Sequence, residues 1–282
     1  MASPSLAELA ADAYDRLTGA ERKVADVVVA DPNAVAFGTV ASIAERAGTS
    51  GATVVRLAAK LGFDGFSEMQ DVVRHDVRVR LRPTVERIRE RPGRDVVGQV
   101  LRSGLDAVHD TLTQVDGDAF DRTVALLGDP SRRVFVISGD AGSGVGAMAA
   151  SQLAMLRGRV SVVDGNPVEV SRRLASIERS DVVLALDLRR YDGWVLRWVT
   201  ESAARGATVV ALTDSAVSPL ARVARESFVV EAEGAGPFDT YLGAMALVDA
   251  LVAGVGRSAR AAATRSIDRI EAAWQAGGVL EG

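Results

Sequence analysis

Near residue 130 the hydrophobic period of the chain changes, and few architectures accommodate both halves. From Val96 to Leu127 the pattern is helical, with Leu101, Leu105, Val108 and Leu112 repeating on one face. Beyond it lie short β-branched runs: VFVISG (134–139), VSVVD (160–164), DVVLALD (181–187), ATVVALTD (207–214) and SFVVEA (227–232). Helical stretches separate them, at Val145–Arg157, Pro167–Ser176, Trp194–Arg205 and Pro219–Arg225. Strands alternating with helices pair in parallel, and a parallel sheet needs helices over both faces. Tyr241–Gly256 and Ala259–Ala276 read as helices that follow the last strand. Leu242, Met245, Val248, Leu251 and Val252 form a broad apolar stripe there, suited to a core face or to a subunit interface.

Upstream, the stretch TVASIAERAGTSGATVVRLAAKLGFDGFSEM (39–69) reads as two short helices. Thr39 is an N-cap, Ile43, Ala44 and Ala47 follow at helical spacing, and Gly48 stops the first helix. Ser50 caps the second, whose inner side is Val54, Leu57, Ala58 and Leu61 before Gly62 closes it. Two helices joined by a turn of about 3–4 residues make a helix-turn-helix, whose second helix enters the DNA major groove. Spacing alone also fits two core helices of a bundle. The outward positions predicted to meet DNA are Ser50, Gly51, Thr53, Arg56 and Lys60, with Thr49 just before them. Hydroxyls and a helix N-terminus hold phosphates, and Arg reads guanine in bidentate fashion.

Around this unit, Thr18 and Glu21 form a capping box before a helix faced by Val24, Val27 and Val28, which Asp31-Pro32 ends. A short turn or helix is expected over 33–38, and a further helix over Ser67–Arg80. Arg74, Arg78, Arg80 and Arg82 either touch the DNA backbone or form a solvated face. Pro83 and Pro92-Gly93 punctuate a charged connection. The predicted domains are a DNA-binding domain at 1–82, a linker with helix at 83–105, an α/β domain at 106–256 and a C-terminal helix at 257–282.

Length and composition set bounds. The 282 residues suffice for two domains with sizeable cores. With no Cys there are no disulfides, thiolate metal sites or cysteine nucleophile, which fits a reducing cytoplasm. The N-terminal stretch has neither a basic nor an apolar region of signal-peptide type, and no run approaches about 18 apolar residues, so no membrane association is expected. A net charge of −4 is not the footprint of a general nucleic-acid binder, although a local basic face suffices for a sequence-specific one. The two histidines, His75 and His109, lie outside the strand-rich stretch, and no acid–base pair stands out, so no catalytic residue is assigned. No His/Asp/Glu cluster has metal-ligand spacing, and no cofactor is expected.

The wording A-x-R-A-G-x-S-x-A-T-V-x-R-x-x-x-K-L-G-F-x-G-F closely resembles the DNA-binding domain of the RpiR family of bacterial transcription regulators. Thr49 departs from that pattern, standing where an apolar residue is usual, and Asp64 stands where a basic one is common. The strand–helix alternation, with the Gly-rich turn SGDAGSGVGAMA (138–149) and VVALTDSAVSPLARVA (209–224), resembles a sugar isomerase (SIS) domain, which RpiR regulators carry after their helix-turn-helix. The resemblance implies a five-stranded parallel sheet flanked by helices, of flavodoxin type, a homodimer or homotetramer, and a phosphosugar-like effector. Ser138, Gly139 and Ser143 match its first ligand loop. Thr213, Asp214 and Ser218 match the loop after the fourth strand, where a structural cap for the following segment is an equal alternative.

The third loop departs. SIS domains usually carry Ser-x-Ser-Gly-x-Thr after the third strand, whereas here the aligned residues are Asp187-Leu188-Arg189-Arg190-Tyr191-Asp192. A carboxylate at Asp187 repels phosphate. Arg189 and Arg190 either grip an anion through their side chains, with Tyr191 stacking on a ring, or pair with Asp187 and Asp192 in a salt-bridged loop. The predicted function is a transcription regulator that binds a double-stranded DNA operator and senses a small anionic metabolite, a sugar phosphate or other. The alternative is a sugar-phosphate isomerase-like enzyme with a helical appendage.

Overall fold

The computed structural model describes residues 6–30, 35–36, 38–80, 87–88, 95–216 and 218–279. Contacts divide the chain into two compact units, Met1–Glu86 and Arg87–Gly282.

The first unit is helical: α1 (Leu6–Ala13), a 3-10 turn (Tyr14–Arg16), α2 (Gly19–Ala30), α3 (Val40–Arg46), α4 (Gly51–Lys60) and α5 (Phe66–Arg80). Val24, Val28, Ile43, Val54, Leu57 and Met69 are fully buried together, each a residue the helical spacing turns inward. The ends are set locally. Thr18 N–H donates to the Glu21 carboxylate at 2.8 Å, and Thr39 and Ser42 cap each other's backbone at the start of α3. Gly48 and Gly62, with φ of 59° and 94°, turn the chain out of α3 and α4 in a conformation that side chains resist.

The second unit begins with a long helix pair. The predicted helical stretch 96–127 is two helices, α6 (Val96–Thr113) and α7 (Gly117–Gly128), separated where Asp116 caps α7 by accepting from Ala119 N–H at 2.7 Å. Positions 105 and 106 lie inside α6, so the domain border predicted there falls within a continuous helix. Then come β1 (Val134–Ser138), α8 (Ser143–Arg157), β2 (Val160–Val162), α9 (Pro167–Ala175), β3 (Val182–Leu186), α10 (Gly193–Ala204), β4 (Thr208–Thr213), β5 (Glu226–Val229), α11 (Leu242–Ser258) and α12 (Arg260–Gly277).

The strands form one five-stranded parallel sheet in the order β2-β1-β3-β4-β5, in register Val134↔Val182 and Val182↔Thr208. Helices α7, α8 and α11 cover one face, and α9 and α10 the other. Pro219–Arg225, predicted as a helix, is instead a run of turns that closes on Leu220, itself fully buried. A segment this short forms few internal hydrogen bonds and is held by the burial of one side chain. Helices α6 and α11 approach closely because Gly104 and Gly243 face Leu242 and Thr111; a Cβ on Gly104 would sit 2.7 Å from Leu242. The strand order reverses between β1 and β3, and ligands of open α/β sheets settle outside the carboxyl ends of strands at such a switch point.

Candidate DNA interface and effector cavity

On α4 the exposed face is Ala52, Val55, Arg56, Ala59 and Lys60, spaced as one side of a helix. Thr53, predicted outward, is buried. Its hydroxyl lies 3.0 Å from that of Ser50 and accepts from the Arg56 guanidinium at 3.1 Å. Ser50 therefore holds the first turn through Thr53 instead of capping α4 with its side chain. Arg56 is thereby laid along the N-terminal turn on the exposed side. Gly51, also predicted outward, packs toward α3: a Cβ there would meet Val40 at 3.1 Å. Lys60 pairs with Glu21 at 2.8 Å and with the Arg16 carbonyl at 3.3 Å, which ties α4 to the capping box of α2. With the Thr18 bonds, this ammonium pulls the Glu21 carboxyl down to about 2. Thr49 is half-buried, with no partner for its hydroxyl among the described residues. Asp64 is exposed, and its N–H is taken by Glu68. Arg74 is bound to the Ala36 carbonyl and to Asp71; the side chains of Arg78 and Arg80, and all of Arg82, lie outside the described residues. Ala52 and Val55 share this exposed face by helical phase, a signal that polarity alone does not carry.

At the carboxyl ends of β1 and β2 lies a cavity of about 690 Å³. Ser138 and Ser143, both predicted, line it, together with Asp140, Asp164, Ser171, Trp194, Arg197 and Trp198. Trp194 and Trp198 are four residues apart on α10, hence on one side of it. That WxxxW spacing is the sequence signal for this wall.

The other predicted effector residues form a separate, internally bonded cluster. Gly139 packs against Asp187 and Asp192, and a Cβ there would lie 2.5 Å from the Asp187 carboxylate. Asp187 is buried and accepts N–H bonds from Leu188 at 3.0 Å and Asp192 at 2.6 Å. Burial, more than the neighbouring Asp192 and Asp214 charges, raises its carboxyl to about 6. Arg189 points neither into the cavity nor at Asp187. It sits at φ 54°, a strained conformation for a side-chain-bearing residue, and its guanidinium lies 2.7 Å from Glu233, 3.2 Å from Asp239 and 4.0 Å from Glu231. The pairing predicted with Asp187 and Asp192 is thus replaced by one with acids 42–50 residues downstream in the chain. Arg190 is exposed. Tyr191 donates to Asp214 at 2.6 Å, and Asp214 also accepts from Arg189 N–H at 3.0 Å. Thr213 is wholly buried, and Ser218 caps the following turn by accepting from Ala221 N–H at 3.0 Å. Among the described residues, no group of three His, Asp or Glu is placed to hold a metal, and no single helix is long and apolar enough to cross a membrane.

A helix-turn-helix followed by a parallel α/β domain with a cavity at its strand ends defines a class: DNA-binding regulators that carry a ligand-type domain. Residues 5–77 match the model of the helix-turn-helix domain of the rpiR family, residues 127–254 match that of the SIS domain, and the chain belongs to the RpiR family of transcriptional regulators. It is 26% identical over 212 residues to an HTH-type transcriptional regulator of Thermotoga maritima, covering 74% of this chain and 75% of that one. It is 25% identical to the regulator YbbH of Bacillus subtilis over 92% of this chain and 93% of that one. In fold it is similar to the sugar isomerase domain of an RpiR transcription factor from Sphaerobacter thermophilus (TM-score 0.60, 24% identity, 63% of this chain and 99% of that one). It is also similar to the Vibrio vulnificus NanR protein complexed with ManNAc-6P (TM-score 0.58, 22% identity, 98% of this chain and 99% of that one). These relatives are regulators, and the chain is a regulator rather than an enzyme.

Proposed function

We propose that this regulator acts in the cytoplasm as a homodimer or higher homo-oligomer, gripping an operator of two related half-sites through paired α4 helices. A small sugar-derived molecule in the β1–β2 cavity sets how tightly it does so. The observation that carries the DNA reading is Arg56, held across the first turn of α4 by Ser50 and Thr53, on an exposed face whose other residues are Ala52, Val55, Ala59 and the Glu21-paired Lys60. An arginine so placed suits a guanine edge, and Val55, 43% exposed, suits a thymine methyl. NanR's ManNAc-6P supports a sugar-derived effector.

Coupling has a physical route within the second unit. Asp239 accepts Arg189 from the loop after β3 at 3.2 Å and Arg87 at 2.9 Å. Arg87 is the residue at which that unit begins. An effector that binds differently to two arrangements of this loop shifts the population between them, and with it the chain leading to the DNA-binding unit.

The test is titration of the purified protein against DNA from its own upstream region, at several salt concentrations and with non-specific competitor. The expected result is binding that survives competitor at a site with two related half-sites. Binding that competitor abolishes at every salt concentration would overturn the operator reading.

A further inference from the structure

The ligand chemistry of the cavity can be read from which groups at the strand ends are already spoken for. An anion at the carboxyl end of a parallel sheet is held by free backbone N–H groups and helix starts. Here four such N–H groups are answered by the chain's own carboxylates. Asp192 accepts from Asp140 N–H at 2.7 Å, Asp187 from Leu188 and Asp192 N–H, and Asp214 from Arg189 N–H. The buried guanidinium of that loop, Arg189, is bound by Glu233 and Asp239. The carboxylates press against the β1 loop, leaving no room over Gly139. The chain fills the place of an anion from within.

The open cavity has a different character. Asp140 and Asp164 are in its lining against one cation, Arg197, and Asp164 keeps Arg173 at 3.4 Å. Ser138 lines it at 8% exposure, and among the described residues no group hydrogen-bonds its hydroxyl. A hydroxyl that faces a cavity and has no partner in the chain is available to bond a ligand or water there. Trp194 and Trp198 supply flat apolar walls of the kind on which a sugar ring's C–H face rests, and the volume falls in the range of small-molecule sites.

We infer that the cavity takes an unphosphorylated polyhydroxylated ring, a sugar or amino sugar, hydrogen-bonded by Ser138, Asp140 and Asp164 and stacked on Trp194 and Trp198. This rests on the reading of the cavity as the effector site. It differs from a phosphosugar site in that carboxylates accept ring hydroxyls, or an amine, where a phosphate would be repelled.

The experiment is calorimetric titration of the full chain with matched pairs: D-mannose, N-acetyl-D-mannosamine and D-glucosamine, each against its 6-phosphate, and inorganic phosphate alone. The expected result is that at least one unphosphorylated member binds, at least about tenfold more tightly than its 6-phosphate, with no heat from inorganic phosphate. The amino and neutral members distinguish a role for the carboxylates as counter-ions from one as plain acceptors. Ser138→Ala should weaken that ligand by about tenfold with the thermal midpoint unchanged. Asp187→Ser/Asp192→Thr should gain heat with inorganic phosphate. A 6-phosphate binding more tightly than its partner overturns the inference and leaves the effector reading standing. If no member binds, the inference and the cavity's sugar-site role both fall, and the operator assay judges the DNA reading separately.

Discussion

Glu21 and Asp187 are both buried carboxylates, and their surroundings drive them in opposite directions. Glu21 has an ammonium and two Thr18 donors, so its carboxyl drops to about 2. A carboxyl lowered by folding stabilises the fold above the unfolded value of 4.5, and that contribution is lost as pH falls through 4.5 toward 2. Glu21→Gln is expected to cost roughly 1–2 kcal/mol at pH 7 and much less at pH 3. Native-state hydrogen exchange of the α2 and α4 amides reads this, and equal protection in both proteins at pH 7 would refute it. Asp187 has backbone donors but no cation, so burial raises it to about 6 from 3.8. Its ionised form costs about 3 kcal/mol at pH 7, a cost relieved as pH falls through 6 toward 3.8, because the folded state then binds the extra proton. The second unit should gain stability over that window, and Asp187→Asn should flatten the gain. Trp194, Trp198 and Trp274 all lie in that unit, so thermal melts followed by tryptophan fluorescence between pH 7 and pH 4.5 separate the two. Parallel melting curves for the two proteins would show that Asp187 stays ionised throughout. Neither shift was legible in the sequence, since Lys60 lies 39 residues from Glu21, and burial is a property of the folded sheet.

At the scale of elements, the strands and most helices were legible because each repeats one pattern for at least a full turn or several alternations. The five β-branched runs became the five strands, and Trp194–Arg205 shifted by one residue to become α10. Pro219–Arg225 misled because a proline and a few apolar residues mimic a helix start without the length to propagate one. On α4 polarity alone marks Thr53 as outward, whereas the helical phase buries it as a brace for Arg56 and exposes Val55. That difference is measurable. Arg56→Ala should weaken specific operator binding by roughly 1–3 kcal/mol and relax preference at one base pair. Thr53→Val, which keeps the volume and removes the brace, should weaken it by about 0.5–1.5 kcal/mol with stability little changed. Fluorescence anisotropy on the operator and on scrambled DNA, across salt, checks both. If Arg56→Ala weakens scrambled DNA equally and lowers the salt slope by about one, Arg56 meets phosphate and not a base.

At the scale of the whole molecule, the longest run of exposed apolar side chains among the described residues is on α6. Val97, Leu101 and Leu105 are 81%, 60% and 62% exposed at four-residue spacing, flanked by Val100 and Leu112. Leu242 and Met245 on α11 are also partly exposed. The same helix buries Gly104, Ala107 and Thr111 against the sheet domain, so it carries an exposed apolar stripe in addition to the face it buries. A two-half-site operator needs two helix-turn-helix units related by a twofold axis, and a self-complementary apolar helix is the simplest surface to supply one. Leu101→Asp/Leu105→Asp places charges where a second copy would pack. It should convert the oligomer to monomer in sedimentation equilibrium while the second unit keeps its melting behaviour, because neither side chain enters the core. Losing the second half-site contact should then weaken operator binding by about 10²–10⁴-fold, with single half-site binding unchanged. A variant that remains oligomeric would move the interface off α6. A monomeric variant with undiminished operator affinity would mean that each chain reads its site alone.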